Sequence, residues 1–165
     1  MSLFRDKYGA MIIGTTLALV LDQVTKALII ARFPLGGMIP VIPGFFELFH
    51  THNTAAAFGL FSGNSVVFFL VVSGIAVAFI VHCFIRLERQ DVLLASSLAM
   101  ILGGALGNII DRIRHGFVVD FLRFYLNDFS WPTFNVADIA IVCGVFIFAF
   151  DMIRSERRRK AEKGS

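Results

Sequence analysis

The chain has 165 residues, 57% of them hydrophobic and 16% charged, and a mean hydropathy of +0.78. A core of this length cannot enclose that much apolar surface, so the composition excludes an ordinary water-soluble domain and requires lipid to cover the rest. The formal charge of +3 is carried by basic residues gathered at the chain ends and in one short loop. That distribution is a topology signal and sets nucleic acid aside as a partner.

Arg5 and Lys7 precede a first apolar stretch, Tyr8 to Ile30. It is longer than a secretory signal core and no small-x-small cleavage pattern precedes Arg32, so it is expected to stay as a membrane anchor. Further apolar windows of spanning length run from Val66 to Ile85, Val92 to Ile110 and Val136 to Ile153. No repeat or linker divides the chain. The expected architecture is therefore a single all-α membrane domain over residues 1–165, with four transmembrane helices at about 8–30, 66–85, 92–110 and 136–153. Cys83 and Cys143 both fall inside apolar runs, where cysteine packs as a small hydrophobe.

Four crossings place both termini on one side. That side holds Arg5, Lys7, Arg86, Arg89, Arg154, Arg157, Arg158, Arg159, Lys160 and Lys163, against Arg32, Arg112, Arg114 and Arg123 on the other. The positive-inside rule then makes both termini cytoplasmic, and the tail 154–165 becomes a basic strip that meets anionic head groups of membrane lipids. Two longer segments face outward. In Phe33 to Asn64, Pro34, Gly36, Gly37, Pro40, Pro43 and Gly44 break helices, and Phe45 to His52 suits short strands, so a small extended layer at the membrane surface is expected, anchored by Phe61 and its neighbours. The second segment, Asp111 to Asn135, carries the interface-favouring Tyr125 and Trp131.

An ionisable side chain at membrane depth costs about 2.5 to 3.5 kcal/mol at a helix centre, so each needs a reason to be there. Asp22 and Lys26, then Asn108, Asp111 and Arg112, then Asp120 and Asp138 all lie toward the outer ends of their spans. They can therefore converge on one polar patch. Asn135 is a suitable N-cap after Pro132, Thr133 and Phe134, which puts Asp138 in a first helical turn, where free N–H groups favour a carboxylate. A simple capping acid is the plain alternative. Asp120 stands within Phe117, Val118, Val119 and Phe121, unlike an acid of a solvated loop, although a structural hydrogen bond to a helix end also fits.

On the third span, Gly103 and Gly107 form a small-xxx-small step, and Gly104 and Asn108 are expected to share a face with Asp111 and Arg112. Packing plus a snorkelling Arg112 is the alternative there. Asp22 and Lys26 at i and i+4 read first as a structural pair. Asn53, at the start of the small-residue run Thr54 to Gly59, can cap a short helix or hold a peptide backbone. His50 and His52 alternate like one strand face, but with no evident third ligand they are not assigned a metal.

Two acids brought together in a partly dry cleft cannot both ionise easily and hold one shared proton. One draws a proton from a water that attacks a peptide carbonyl; the other protonates the carbonyl oxygen, so no metal or cofactor is required. The helix-start position predicts more of the negative charge on Asp138 and more of the proton on Asp120. The chief rival is a small transporter or proton relay, which would spread polar residues through the membrane depth. Here they gather at one level, and the second span, His82 apart, is almost purely apolar. A metal-dependent hydrolase is a third reading, to be removed by insensitivity to chelators.

Five motifs in succession carry a family resemblance: Asp22-Gln23-Val24-Thr25-Lys26, Asn53 with Ala56-Ala57-Phe58, Gly104 to Arg112, Val118 to Phe121, and Phe134 to Asp138. The chain resembles the bacterial lipoprotein signal peptidases, or signal peptidase II. That resemblance implies a four-helix fold with an extracytoplasmic β layer and a short outer helix, located in the inner membrane with its active site near the outer face. It implies prolipoprotein substrates cut just before a diacylglyceryl-modified cysteine, and inhibition by the cyclic peptide globomycin. Asp120 and Asp138 match the catalytic dyad. Asn53, Asn108 and Arg112 match positions that hold substrate or support the site, and Asp111, Asn135, Gly104, Asp22 and Lys26 fall in the same motifs. Ala55 departs from the glycine of many members.

Overall fold

Four helices, each long and apolar enough to cross a bilayer, make up most of the molecule. The computed structural model describes residues 6–54 and 65–163, with side chains for 6–54 and 66–155. The expected short outer helix, the Ala56-Ala57-Phe58 motif, Ala55 and Phe61 lie outside the described residues.

Helix α1 (Lys7–Arg32) starts where the Asp6 carboxylate accepts from the Gly9 N–H at 3.0 Å, and it stops where Pro34 forbids another helical turn. Helices α2 (Ser65–Arg86), α3 (Val92–His115) and α4 (Val136–Lys163) follow. α3 runs a turn beyond the apolar window because Gly116, in the left-handed region at φ 79°, supplies its C-cap. α4 continues as helix into the basic tail. At the end of the bundle that holds the start of α1, the Lys7 ammonium donates to the carbonyls of Phe84 (3.2 Å) and Leu87 (2.6 Å), and Asp6 pairs with Arg89 at 3.2 Å. The Phe84 carbonyl lies in the last turn of α2 and also accepts from the Leu87 N–H at 3.2 Å, and the Lys7 ammonium adds a donor there, so α1 helps close its neighbour's terminus.

α3 is the central helix, approached closely by α1 and α4 because small residues line both contacts. A Cβ on Gly103 would lie 2.7 Å from the Ala18 Cβ and 2.7 Å from the Thr15 carbonyl, and one on Gly144 would lie 2.6 Å from the Ser97 carbonyl. Among the helices α2 packs mainly on α3 and touches α1 where the Tyr8 and Phe84 rings meet, and Ile80 is its one fully buried residue among those described. Large apolar side chains such as Phe79, Phe146 and Phe150 are more than 60% exposed and form the lipid-facing belt. The chain is a multi-pass membrane protein.

At the opposite end of the bundle lies an antiparallel four-stranded sheet in the order β1 (Met38–Ile42), β2 (Phe46–Asn53), β3 (Val118–Leu126), β4 (Phe129–Ser130). Its first half comes from the α1–α2 connection, where strands were expected. Its second half comes from the α3–α4 connection, to which the sequence reading assigned no strand. Between β1 and β2 the chain turns at Pro43–Gly44, with Gly44 at φ 81°. The β2–β3 register slips between Leu48↔Leu122 and Thr51↔Asp120, so β2 carries one extra residue. Ile29, Val119 and Phe121 form a small core that seats the sheet on α1, flanked by Phe33, Leu48 and Leu122. Glu47 and Arg123, paired across the strands, form a salt bridge.

Gly103→Val is expected to lower the thermal unfolding midpoint in detergent by several degrees, since overpacking against backbone costs about 1–3 kcal/mol. Gly74→Ala, on α2, meets nothing within 4 Å and should leave the midpoint unchanged or slightly raised. Equal midpoints for Gly103→Val and the parent protein would show that α1 and α3 do not approach through this glycine.

Candidate active site

Seven of the residues singled out in the sequence converge where α1, α3, α4 and β3 meet beneath the sheet. Asp22, Lys26, Asp111, Asp120 and Asn135 are each no more than 3% exposed, and Asn108 is buried with them. Asp138 joins them from the first turn of α4.

The cluster is ordered by one cation. The Lys26 ammonium has three hydrogens and meets three acceptors, Asp22 at 2.9 Å, Asp111 at 2.8 Å and the Asn108 amide oxygen at 2.9 Å. Lysine can only donate, so Asn108 must turn its oxygen to Lys26. Its NH2 group is thereby aimed at Asp138, to which it donates at 3.0 Å. Asp22 uses its other oxygen to accept from the Ala137 N–H at 2.9 Å, and Asp111 accepts from the Val119 N–H at 3.1 Å. One acid thus pins the start of α4 and the other the residue before Asp120. The i, i+4 pair expected on α1 is real, and Asp111 completes it.

Asn135 joins the two proposed acids. Its amide oxygen accepts from the Asp138 N–H at 3.0 Å while the Asp138 carboxylate accepts from the Asn135 N–H at 3.1 Å, a reciprocal cap at the start of α4. With its oxygen so committed, the Asn135 NH2 donates to Asp120 at 2.6 Å. The other Asp120 oxygen accepts from the Asn53 amide at 2.9 Å. Of the two roles open to Asn53, the described geometry gives it contact with a carboxylate. A bulge supports the aim of Asp120: the N–H groups of Phe121 and Leu122 both donate to the Phe134 carbonyl, at 3.0 and 2.9 Å. Val119 and Phe121 face the apolar core while Asp120 between them faces the polar cluster.

Burial raises the Asp120 carboxyl to about 6, and the nearby charge of Asp138 adds to the shift, while hydrogen bonds from Asn53 and Asn135 oppose it. Asp120 therefore holds a proton about two pH units higher than an exposed aspartate does.

The faces of α3 are finer than the sequence suggested. Gly103, Gly107 and Asp111 look toward α1; the missing Cβ of Gly107 makes room for the Asp22 carboxylate. Gly104 and Asn108 look toward α4, where Gly104 admits the Ala137 carbonyl. Asp111 and Arg112 consequently do not share one face, because adjacent helical positions diverge by about 100°. Arg112 donates to the Asn108 carbonyl at 3.2 Å. Sequence reasoning passed over Gln23, whose amide donates to Asp22 (3.2 Å), Asp111 (3.1 Å) and the Gly107 carbonyl (3.3 Å). An uncharged amide at membrane depth beside Asp22 was the available signal. His50 and His52 stand elsewhere: His50 bonds the Phe33 carbonyl at 2.9 Å and His52 stacks on Phe117.

A sequence model of the signal peptidase II family matches residues 15–154. The chain belongs to the signal peptidase II family. It is 45% identical over 150 residues to the lipoprotein signal peptidase of Symbiobacterium thermophilum, covering 91% of this chain and 98% of that protein. To the lipoprotein signal peptidase of Geobacter sulfurreducens it is 46% identical over 154 residues, 92% and 94% of the two chains. A bacterial membrane enzyme solved by the in meso method at 1.9 Å superposes with a TM-score of 0.80 at 31% identity, over 87% of this chain and 92% of that one. A second such structure, at 2.3 Å, gives a TM-score of 0.80 at 30% identity, covering 90% of each. The fold of four helices and a small antiparallel sheet is thus that of solved membrane enzymes, and every motif of the buried cluster lies inside the family match.

The elevated Asp120 carboxyl generates a pH test. Its folded value, about 6, exceeds the ordinary 3.8, so the folded state binds the proton more tightly than the unfolded chain does. The stabilisation this confers is complete below about 4 and is lost as pH rises through about 6. Between those values the wild type is expected to lose thermal stability relative to Asp120→Asn in detergent. Parallel stability profiles across that window would refute the elevated proton affinity.

Proposed function

We propose that this protein is an intramembrane aspartic endopeptidase in which Asp120 and Asp138 form the catalytic pair. It removes signal peptides from prolipoproteins, cutting before a cysteine that already bears a diacylglyceryl group. The observation that carries this reading is Asn135: one residue contacts both carboxylates, its side-chain NH2 donating to Asp120 and its backbone N–H to Asp138, so two acids from different elements are held around a single polar point in an otherwise apolar setting.

In this mechanism a water enters between the two acids. Asp138, its carboxylate accepting from the Asn135 N–H at the start of α4, takes the proton of that water as it attacks the scissile carbonyl carbon. Asp120, with its raised proton affinity, gives its proton to the carbonyl oxygen. Collapse of the tetrahedral intermediate passes a proton to the departing amine and returns the pair to its starting charge. Substrate covering the cleft removes further water, which extends the pH range over which Asp120 stays protonated. Arg112 and Asn53, at the edge of the cluster, hold the peptide backbone; Asn108, Asp111, Gly104, Asp22 and Lys26 support the pair. Within the one domain of residues 1–165, both termini lie in the cytoplasm and the sheet faces outward from the inner membrane, so the two acyl chains remain among lipids while the peptide bond rises to the site. Globomycin, as a cyclic peptide, competes for this cleft.

The described polar groups favour a peptidase over a proton relay. The buried ionisable cluster occupies the sheet end, and Lys7, Asp6 and Arg89 occupy the other; among the described residues no ladder of ionisable side chains links them.

Asp120→Asn and Asp138→Asn, each checked for folding, are expected to lower turnover of a lipidated precursor by about 10²–10⁴-fold, the usual contribution of general acid or base. Near-normal turnover in either variant would remove the pair from the mechanism. An unlipidated precursor peptide should be cleaved far more slowly than its diacylglyceryl form, because the lipid positions the bond; equal rates would show that the acyl chains play no part.

A further inference from the structure

A half-buried cation, Arg112, stands beside the acid cluster. Arg112 lies in the field of Asp138, Asp120 and Asp111, yet the ion pairs among the described residues use Lys26, Arg89 and Arg123. Its described hydrogen bond goes back to its own helix, at the Asn108 carbonyl. A guanidinium carries five N–H donors, so most of them are open to an incoming acceptor. Its carbon stands 5.1 Å from the centroid of the Phe69 ring, within the range of a cation–π contact.

Phe69 belongs to α2, the helix least held by the rest of the bundle. The less exposed residues of α2 run along one side, from Val66, Phe69 and Leu70 through Ser73, Val77 and Ile80 to Cys83 and Phe84, spaced as a helical stripe that packs mainly on α3. Phe69 is near its outer end.

We infer that Phe69 is a positioning residue for substrate: its ring face holds the Arg112 guanidinium at the edge of the catalytic cluster, with the remaining donors turned toward the carbonyls of the bound peptide. A ring provides attraction without an acceptor, so it orients the cation and leaves its donors unspent. A carboxylate in the same place would consume them. α2 thereby becomes a wall of the binding site through one contact. This inference rests on the reading of Arg112 as a peptide-binding group.

The test measures kcat and KM on a lipidated precursor, together with Kd for a diacylglyceryl peptide whose scissile bond is reduced and cannot be cut. The variants are Phe69→Leu, Phe69→Tyr, Phe79→Leu, Arg112→Gln and the double variant Phe69→Leu/Arg112→Gln. Phe69→Leu is expected to raise KM and Kd about three- to fivefold, the size of a partly desolvated cation–π contact, with kcat little changed. Phe69→Tyr, which keeps the ring face, and Phe79→Leu, the same change on the lipid side of α2 at a residue 65% exposed, should match the parent. Adding Phe69→Leu to Arg112→Gln should cost nothing more. Unchanged KM and Kd in Phe69→Leu, a loss confined to kcat, or a loss of equal size in the Arg112→Gln background would each overturn the inference. Binding of the uncut peptide does not need the two acids, so retained turnover in Asp120→Asn or Asp138→Asn would strike the peptidase reading and leave this coupling to be judged on its own.

Discussion

The Lys26 ammonium is the constraint on which the rest of the polar cluster depends. Buried with Asp22 and Asp111, it belongs to a charge group that would be costly to break at one member, about 3–5 kcal/mol, though its net contribution to stability against an apolar replacement is small. Its larger effect is directional. Because an ammonium cannot accept a hydrogen bond, the Asn108 amide has one orientation, and the Asp138 carboxylate receives a donor from it. Through Asp111 the same cation reaches the Val119 N–H, and through Asp22 the Ala137 N–H. Three helices and a strand are thereby referred to one atom.

Asn135 applies the same logic a second time. The α4 cap commits its oxygen, so its NH2 is turned to the acceptors on the other side, Asp120 at 2.6 Å first, then the Asn108 amide oxygen at 3.2 Å and the Val119 carbonyl at 3.4 Å. The two acids consequently differ in surroundings although they share a neighbour. Asp138 sits at the start of a helix among backbone donors, while Asp120 sits on a strand, flanked by core residues, and retains its proton to a higher pH. Such unequal settings suit the proposed division of acid and base roles between chemically identical side chains.

Much of this was legible in the sequence, for reasons that can be named. Four apolar windows stood out because lipid demands continuous hydrophobicity, and the acids stood out because the same lipid makes them expensive. The cap at Asn135 was readable from its neighbours. β3 was not, since Val118 to Leu126 holds both an Asp and an Arg, and its identity as a strand depends on pairing with β2, which is distant in sequence. The separation of Asp111 from Arg112 was also hidden: both fall in one polar turn, and only the positions of α1 and α4 on either side of α3 decide which residue looks where. Gln23 was missed because an amide carries no charge to draw attention, and Phe69 because a phenylalanine on a lipid-facing helix looks like any other until a cation is found over its ring.

The sheet draws β1 and β2 from the α1–α2 connection and β3 and β4 from the α3–α4 connection, and Asp138 arrives only with the last helix. A nascent chain emerging from the ribosome and entering the bilayer one segment at a time cannot bring Asn53, Asp120 and Asp138 together until its final crossing has been threaded. Partly inserted intermediates thus lack the assembled pair of carboxylates. The order of biogenesis by itself keeps the acids apart until the bundle that contains them is whole.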